Sequence, residues 1–168
     1  MFNIPFTIII LVTVEILIVN SGVPPDKGGD QSATIQCPKQ CHCMDKVVEC
    51  QHIKLTNDDL PKLVKQIPND TEVLHLGSNL LTDFSSSVLK TLNNLQELDL
   101  QSNQLHSIPE NTHGHLSRTL RNINLDNNNI TGLQRDDFIG YERLNELSFT
   151  RNRITKIGNG LLKFSVLH

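Results

Sequence analysis

Apolar residues recur through the second half of the chain at a fixed spacing. Four segments align on an asparagine: TEVLHLGSNLL from Thr71, LQELDLQSNQL from Leu95, LRNINLDNNNI from Leu120 and LNELSFTRNRI from Leu144, their starts 24, 25 and 24 residues apart. In each, positions one, four, six and eleven are apolar and position nine is Asn, with Thr71 the one departure. The fourth-position row reads Leu74, Leu98, Ile123, Leu147, and the sixth reads Leu76, Leu100, Leu125, Phe149. The eleventh reads Leu81, Leu105, Ile130, Ile154, and a further row at position fourteen reads Phe84, Ile108, Leu133, Ile157. Periods in this range belong to stacked repeats, whose units bury their apolar faces only against one another. The spacing predicts a short strand at positions three to five of each unit, with leucines pointing into the coil. Stacking then predicts a parallel sheet on a concave side and an irregular or short-helical convex side, over units 71–94, 95–119, 120–143 and 144–167. Leu89, His113, Phe138 and Leu162 take the equivalent place on the convex side, where His113 is the odd residue.

Each unit must turn sharply after its strand, which leaves backbone groups buried at the bend. Asn79, Asn103, Asn128 and Asn152 carry both donors and acceptors on one short side chain, and are expected to satisfy those groups as a ladder, one rung per coil.

The first half of the chain is organised differently. Residues 1–21 are apolar except for a few positions, lack Lys and Arg, and end on Val19 and Ser21 at the spacing of a small-residue cleavage site. They are expected to be a signal peptide; an uncleaved signal anchor is the alternative, against which Glu15 counts. Residues 22–36 are rich in Gly, Pro and Ser and read as a linker. All four cysteines then fall in CPKQCHCMDKVVEC, at Cys37, Cys41, Cys43 and Cys50. An even, tightly clustered set behind a secretory segment favours two disulfides, for which three pairings are open. A zinc site is the rival, disfavoured by the single residue between Cys41 and Cys43.

This cysteine cluster, followed by the repeats, resembles the N-terminal cap of extracellular leucine-rich-repeat proteins. The resemblance covers residues 37–168 and implies a leucine-rich-repeat solenoid of α/β type, with a disulfide-bonded cap at 37–70. It implies the pairing Cys37–Cys43 and Cys41–Cys50, and a strand at Val47-Val48-Glu49-Cys50 that covers the end of the solenoid. The segment 51–70 is longer than the resemblance predicts. Members of that superfamily include matrix proteoglycans, guidance ligands and receptors.

Function in such a coil lies at positions the core does not use. The second, third, fifth, seventh and eighth residues of each unit are expected on the concave side. Among them are Glu72, His75, Glu97, Asp99, Arg121, Asn124, Asp126, Glu146, Ser148 and Arg151, with Val73 the one aliphatic residue and no aromatic. Carboxylates outnumber arginines there, so the face is expected to suit a protein partner with basic patches and to repel nucleic acid. Asn69-Asp70-Thr71 and Asn129-Ile130-Thr131 are glycosylation sequons.

Composition narrows the classes. A hydrophobic fraction of 38%, a charged fraction of 20% and a net charge of −3 fit a folded chain. Fifteen Lys and Arg against eighteen Asp and Glu exclude a polybasic nucleic-acid binder. The 4% aromatic content, with no Trp, is what leucine-filled coils would give. No catalytic motif, cofactor loop or metal-ligand spacing emerges. His113-Gly114-His115 is read as an ordinary loop, so no catalytic residue, metal or cofactor is assigned. The expectation is therefore an extracellular protein-binding module, secreted or part of a membrane protein, with the recognition domain of a multidomain matrix enzyme such as a peroxidase as the alternative. A collagen-binding matrix organiser is a third reading. No C-terminal cap follows the fourth unit, so the sequence is expected to be a truncated one whose open end can self-associate.

Overall fold

The computed structural model describes residues 37–110, 116 and 118–158. The segments 1–21 and 22–36, the loop carrying His113 and His115, and the C-terminal stretch with Leu162 lie outside these residues. So do the signal-peptide, linker and self-association expectations.

The chain begins with two short strands, β1 (His42–Met44) and β2 (Val47–Glu49), joined by the two-residue turn Asp45-Lys46. Asp45 takes φ 51°, a left-handed conformation that a short polar side chain tolerates. A one-turn-and-a-half helix, α1 (Leu60–Val64), carries Pro61 in its first turn, which its fixed φ suits. Strands β3 (Val73–His75), β4 (Glu97–Asp99), β5 (Asn122–Asn124) and β7 (Glu146–Ser148) follow at the predicted positions three to five. Between them run two 3-10 turns, Ser86–Leu89 and Arg135–Phe138, and the two-residue strands β6 (Gly132–Leu133) and β8 (Lys156–Ile157).

One six-stranded sheet has the order β1-β2-β3-β4-β5-β7, antiparallel only between β1 and β2, and β6 pairs with β8 in a separate parallel ladder. The register aligns Val48, Leu74, Leu98, Ile123 and Leu147 as one row, buried up to Ile123. Behind it lie Leu76, Leu100, Leu125, Leu81, Leu105 and Ile130, each buried. Leu92, Leu116 and Tyr141 form a further buried row on the way back to the strands, in the same place in three successive coils. In the fourth coil Leu147, Phe149 and Ile154 are half-buried and Ile157 is exposed.

The ladder asparagines reach backward as well as closing their own turns. Asn103 Nδ2 donates to Leu76 O and Leu100 O, both at 3.0 Å, while its Oδ1 accepts from Leu81 N at 3.1 Å. Asn128 repeats this with Leu100 O, Leu125 O and Leu105 N, and Asn152 with Leu125 O, Phe149 O and Ile130 N. Just before each Asn, the chain turns through positive φ at Ser78, Ser102, Asn127 and Arg151, between 54° and 55°.

The segment 45–70 is itself a complete coil, placed 26 residues before the next by the β2–β3 register. Val48, Cys50 and Leu55 fill the places of Leu74, Leu76 and Leu81, and all are buried. Leu60, Leu63, Val64 and Ile67 complete its core. Two disulfides, Cys37–Cys43 and Cys41–Cys50, lie at its open side. The outermost strand of the sheet is therefore β1, with β2 already part of the repeating array.

Candidate protein-binding face

Parallel strands only one coil apart bring equivalent side chains into rows. The row at position three is Val47, Val73, Glu97, Asn122, Glu146, and the row at position five is Glu49, His75, Asp99, Asn124, Ser148. The antiparallel β1–β2 pair adds Met44 opposite Val47 and His42 opposite Glu49. Directly opposed residues of an antiparallel pair share a face, so Met44 and His42 extend the concave side. Position two supplies Lys46, Glu72, Gln96, Arg121 and Asn145, linked by backbone bonds from Glu72 N to Lys46 O, Gln96 N to Glu72 O, Arg121 N to Gln96 O and Asn145 N to Arg121 O.

Two expectations change here. The face holds three apolar residues rather than one, because β1 and β2 add Met44, 62% exposed, and Val47 to Val73. The signal was present in the sequence: VVEC and Leu55 match positions three, four, six and eleven of the later units, but Asp45 and Ile53 stand where Leu and Asn would be needed.

The second correction concerns charge. Asp99 is buried, at 6% exposure, and its carboxylate is committed: Oδ1 accepts from Gln101 N at 2.9 Å and Oδ2 from Gln101 Nε2 at 3.1 Å. Gly77 opposite makes this possible, since a Cβ there would come within 3.1 Å of Gln101 Cγ and 3.3 Å of Asp99 Oδ2. Asn124 caps Asp126 N in the same way, with its Oδ1 at 3.0 Å. Asp126 Oδ1 in turn accepts from Ser148 Oγ and Thr150 N, both at 2.6 Å. Glu72 is paired with Lys46, whose ammonium is held above its ordinary pKa by that hydrogen bond and by the carboxylate's charge. His75 Nδ1 sits 3.3 Å from Gln51 Nε2 and 3.9 Å from Asp99 Oδ2. Three of the five expected carboxylates, Glu72, Asp99 and Asp126, thus serve the sheet itself. Glu97 and Glu146 stand in the third-position row beyond the valines, Glu97 half-buried and Glu146 exposed, with exposed Arg121 beside them at position two.

A leucine-rich-repeat family model, described as "Leucine rich repeat", matches residues 70–119 and 118–165. The chain belongs to the leucine-rich-repeat family. Among its leucine-rich-repeat relatives are leucine-rich repeat-containing protein 3 of Danio rerio, 32% identical over 61% of this chain and 38% of that protein, and biglycan of Sus scrofa, 27% identical over 86% and 59%. Human oligodendrocyte-myelin glycoprotein is 31% identical over 72% of this chain and 26% of its own length. The chain spans between 26% and 59% of the length of these three relatives. None of these names is an enzyme's, and the matrix-enzyme alternative finds no support in them. Among the described residues no group of His, Cys, Asp and Glu is arranged to hold a metal ion, and no helix is long and apolar enough to cross a membrane.

Proposed function

We propose that the chain is an extracellular protein-binding module that engages its partner through the concave sheet. The partner would place an apolar side chain against Met44, Val47 and Val73 and basic residues against Glu97 and Glu146. The observation that carries this reading is the third-position row, which passes from apolar to acidic along one continuous line of the sheet. Interface energy concentrates in a few desolvated contacts, and Met adapts its shape to what it meets. Unpaired carboxylates beyond that anchor favour a cationic surface and steer its approach. Two disulfides suit an oxidising compartment, and one relative's name marks it as a glycoprotein, which supports the extracellular placement.

The test displays the full chain to an array of extracellular ectodomains and compares each hit across four variants. Met44→Glu and the pair Glu97→Lys/Glu146→Lys should each weaken a true partner at least tenfold, whereas Asp136→Lys on the convex 3-10 turn should leave it unchanged. Asn124→Thr, which turns Asn122-Ile123-Asn124 into a glycosylation sequon in the middle of β5, should block binding when made in secretory cells. Partners indifferent to all three concave changes would overturn the reading.

A further inference from the structure

The asparagines of the chain differ in what their side chains do. Each ladder asparagine spends its Nδ2 on backbone carbonyls, three of them in Asn79: Cys50 O, Leu76 O and Gly77 O. Asn127 Nδ2 donates to Ser102 Oγ and Asn57 Nδ2 to Asp83 O. Among the described residues, the side-chain amides of Asn69 and Asn129 make no hydrogen bond, as is also true of Asn93, Asn94, Asn122 and Asn145, but only Asn69 and Asn129 begin sequons. Asn69 is exposed. Asn129 is half-buried, and it follows Asn128 in the outward row that also holds Leu80, Gln104 and Arg153. Each member of that row donates its backbone N–H to the preceding coil, as Asn129 N does to Leu105 O at 2.9 Å, which leaves the side chain to the surface.

Position relative to the sheet follows from topology. Strands β2, β3, β4, β5 and β7 all run in one direction, so their starts line one rim of the concave face and their ends line the other. Asn69 lies just before β3 and Asn129 just after β5. The two sequons therefore stand on opposite rims.

The sequons also differ in their hydroxyls. Thr71 is fully buried, and its Oγ1 donates to Pro68 O at 2.7 Å, closing the turn that carries Asn69. Thr131 is exposed. The transferring enzyme recognises the hydroxyl residue of the sequon together with the asparagine. Once the coil has closed, it can reach Thr131 but no longer Thr71.

We propose that Asn69 and Asn129 both carry N-linked glycans, on opposite rims of the concave sheet, and that Asn69 is modified only before its coil closes whereas Asn129 stays open to modification afterwards. The proposal rests on the extracellular reading above, because glycan transfer occurs along the secretory route. In the transfer, Nδ2 bonds to C1 of the first sugar of a polyprenyl-diphosphate-linked oligosaccharide. The C1–O–phosphate bond breaks, the amide loses one proton, and the polyprenyl diphosphate leaves. The glycans then flank the row from Met44 to Glu146 and leave the sheet between them bare.

The experiment expresses the full 168-residue chain in eukaryotic secretory cells, once with its own N-terminus and once behind a heterologous secretion signal. Glycans are read by endoglycosidase digestion and peptide mapping. Two mobility steps are expected, with one lost in Asn69→Gln, one in Asn129→Gln and both in the double variant. These substitutions remove no hydrogen bond among the described residues, so they report on the glycan and not on folding. A pulse of reductant in living cells delays closure of Cys41–Cys50 and should raise occupancy at Asn69 while leaving Asn129 unchanged. Secretion behind the heterologous signal with either asparagine bare would overturn the site assignment, and occupancy of Asn69 indifferent to reductant would overturn the order of modification. A chain glycosylated only behind the heterologous signal would overturn the extracellular reading and leave the two sites assigned.

Discussion

The coil at 45–70 and the coil that begins at Thr71 follow the same path with different chemistry. Both place a three-residue strand in the sheet, both bury apolar residues at the fourth, sixth and eleventh places, and both turn through a left-handed residue, His52 in one and Ser78 in the other. The first coil has Ile53 where the later coils have Asn. Its turn is closed from outside: Asn79 Oδ1 accepts from Ile53 N and Leu55 N, at 3.2 and 3.0 Å, and its Nδ2 donates to Cys50 O. The lesson is that the ladder works backward, each asparagine serving the coil before its own. A first coil therefore needs no asparagine. What it lacks is a neighbour on its other side, and there disulfides and the antiparallel strand β1 take over.

The hardest way to break this equivalence is to remove a rung. Asn103→Ala leaves Leu81 N unsatisfied in a buried turn and takes one of two amide donors from Leu76 O and from Leu100 O, which keep Asn79 and Asn128, so it should cost about 3 kcal/mol in all. Asn79→Ala should cost as much, since the rung that closes the first coil is equally buried. Asn152 is half-buried, so water can replace part of what Asn152→Ala removes, and about half that loss is expected. Urea unfolding midpoints at constant slope measure all three. Equal losses at Asn103 and Asn152 would show that burial does not set the worth of a rung.

Cutting the feature special to the first coil comes next. Replacing Cys41 and Cys50 together by Ala opens a loop closed over a sequence separation of 9, worth about 2.5 kcal/mol by chain entropy. Hydrogen exchange should speed up across 41–55 and stay unchanged in β4 and β5. Faster exchange throughout the sheet would mean that the cap holds the whole solenoid rather than its own end.

A third change compares two later coils. Tyr141 stands where earlier coils have Leu92 and Leu116, and its hydroxyl donates to Pro109 O at 2.6 Å across the base of the preceding loop. Tyr141→Phe keeps the ring and should cost about 1 kcal/mol. Burial holds the phenol well above its ordinary pKa of 10.0. The unfolded chain therefore ionises first, and the stability this gives is complete below pH 10 and lost as pH rises beyond it. Wild type should lose stability above pH 10 faster than Tyr141→Phe, and parallel curves would refute that.

These comparisons also explain what could be read from the sequence. The rows at four, six, nine and eleven were legible because a buried parallel array admits only aliphatic residues there and only an amide at the bend. The first coil escaped notice because Ile53 and Asp45 break the pattern where a neighbouring asparagine and a hairpin replace it. The row of Leu92, Leu116 and Tyr141 recurs at the twenty-second place of each unit but escaped because Tyr141 breaks its aliphatic character and it stands far from the asparagine on which the units align. The proposed binding face was legible in place but not in charge. Nothing in the spacing of Asp99 tells that Gly77 opposite and Gln101 beside it turn its carboxylate inward.

The smallest expected effect tests the equivalence most finely. His52 and Ser78 occupy the same left-handed turn at φ 57° and 55°, a conformation that costs a residue with a Cβ about 1–2 kcal/mol relative to glycine. Glycine relieves this strain but enlarges the unfolded ensemble, and the net gain should be about 0.5 kcal/mol. If the two coils share one turn, His52→Gly and Ser78→Gly should raise the unfolding midpoint by the same small amount, and the double variant should gain the sum. A gain at Ser78 with none at His52 would show that the disulfide-bound coil already relieves its own turn, so that the two paths coincide without sharing an energetic basis.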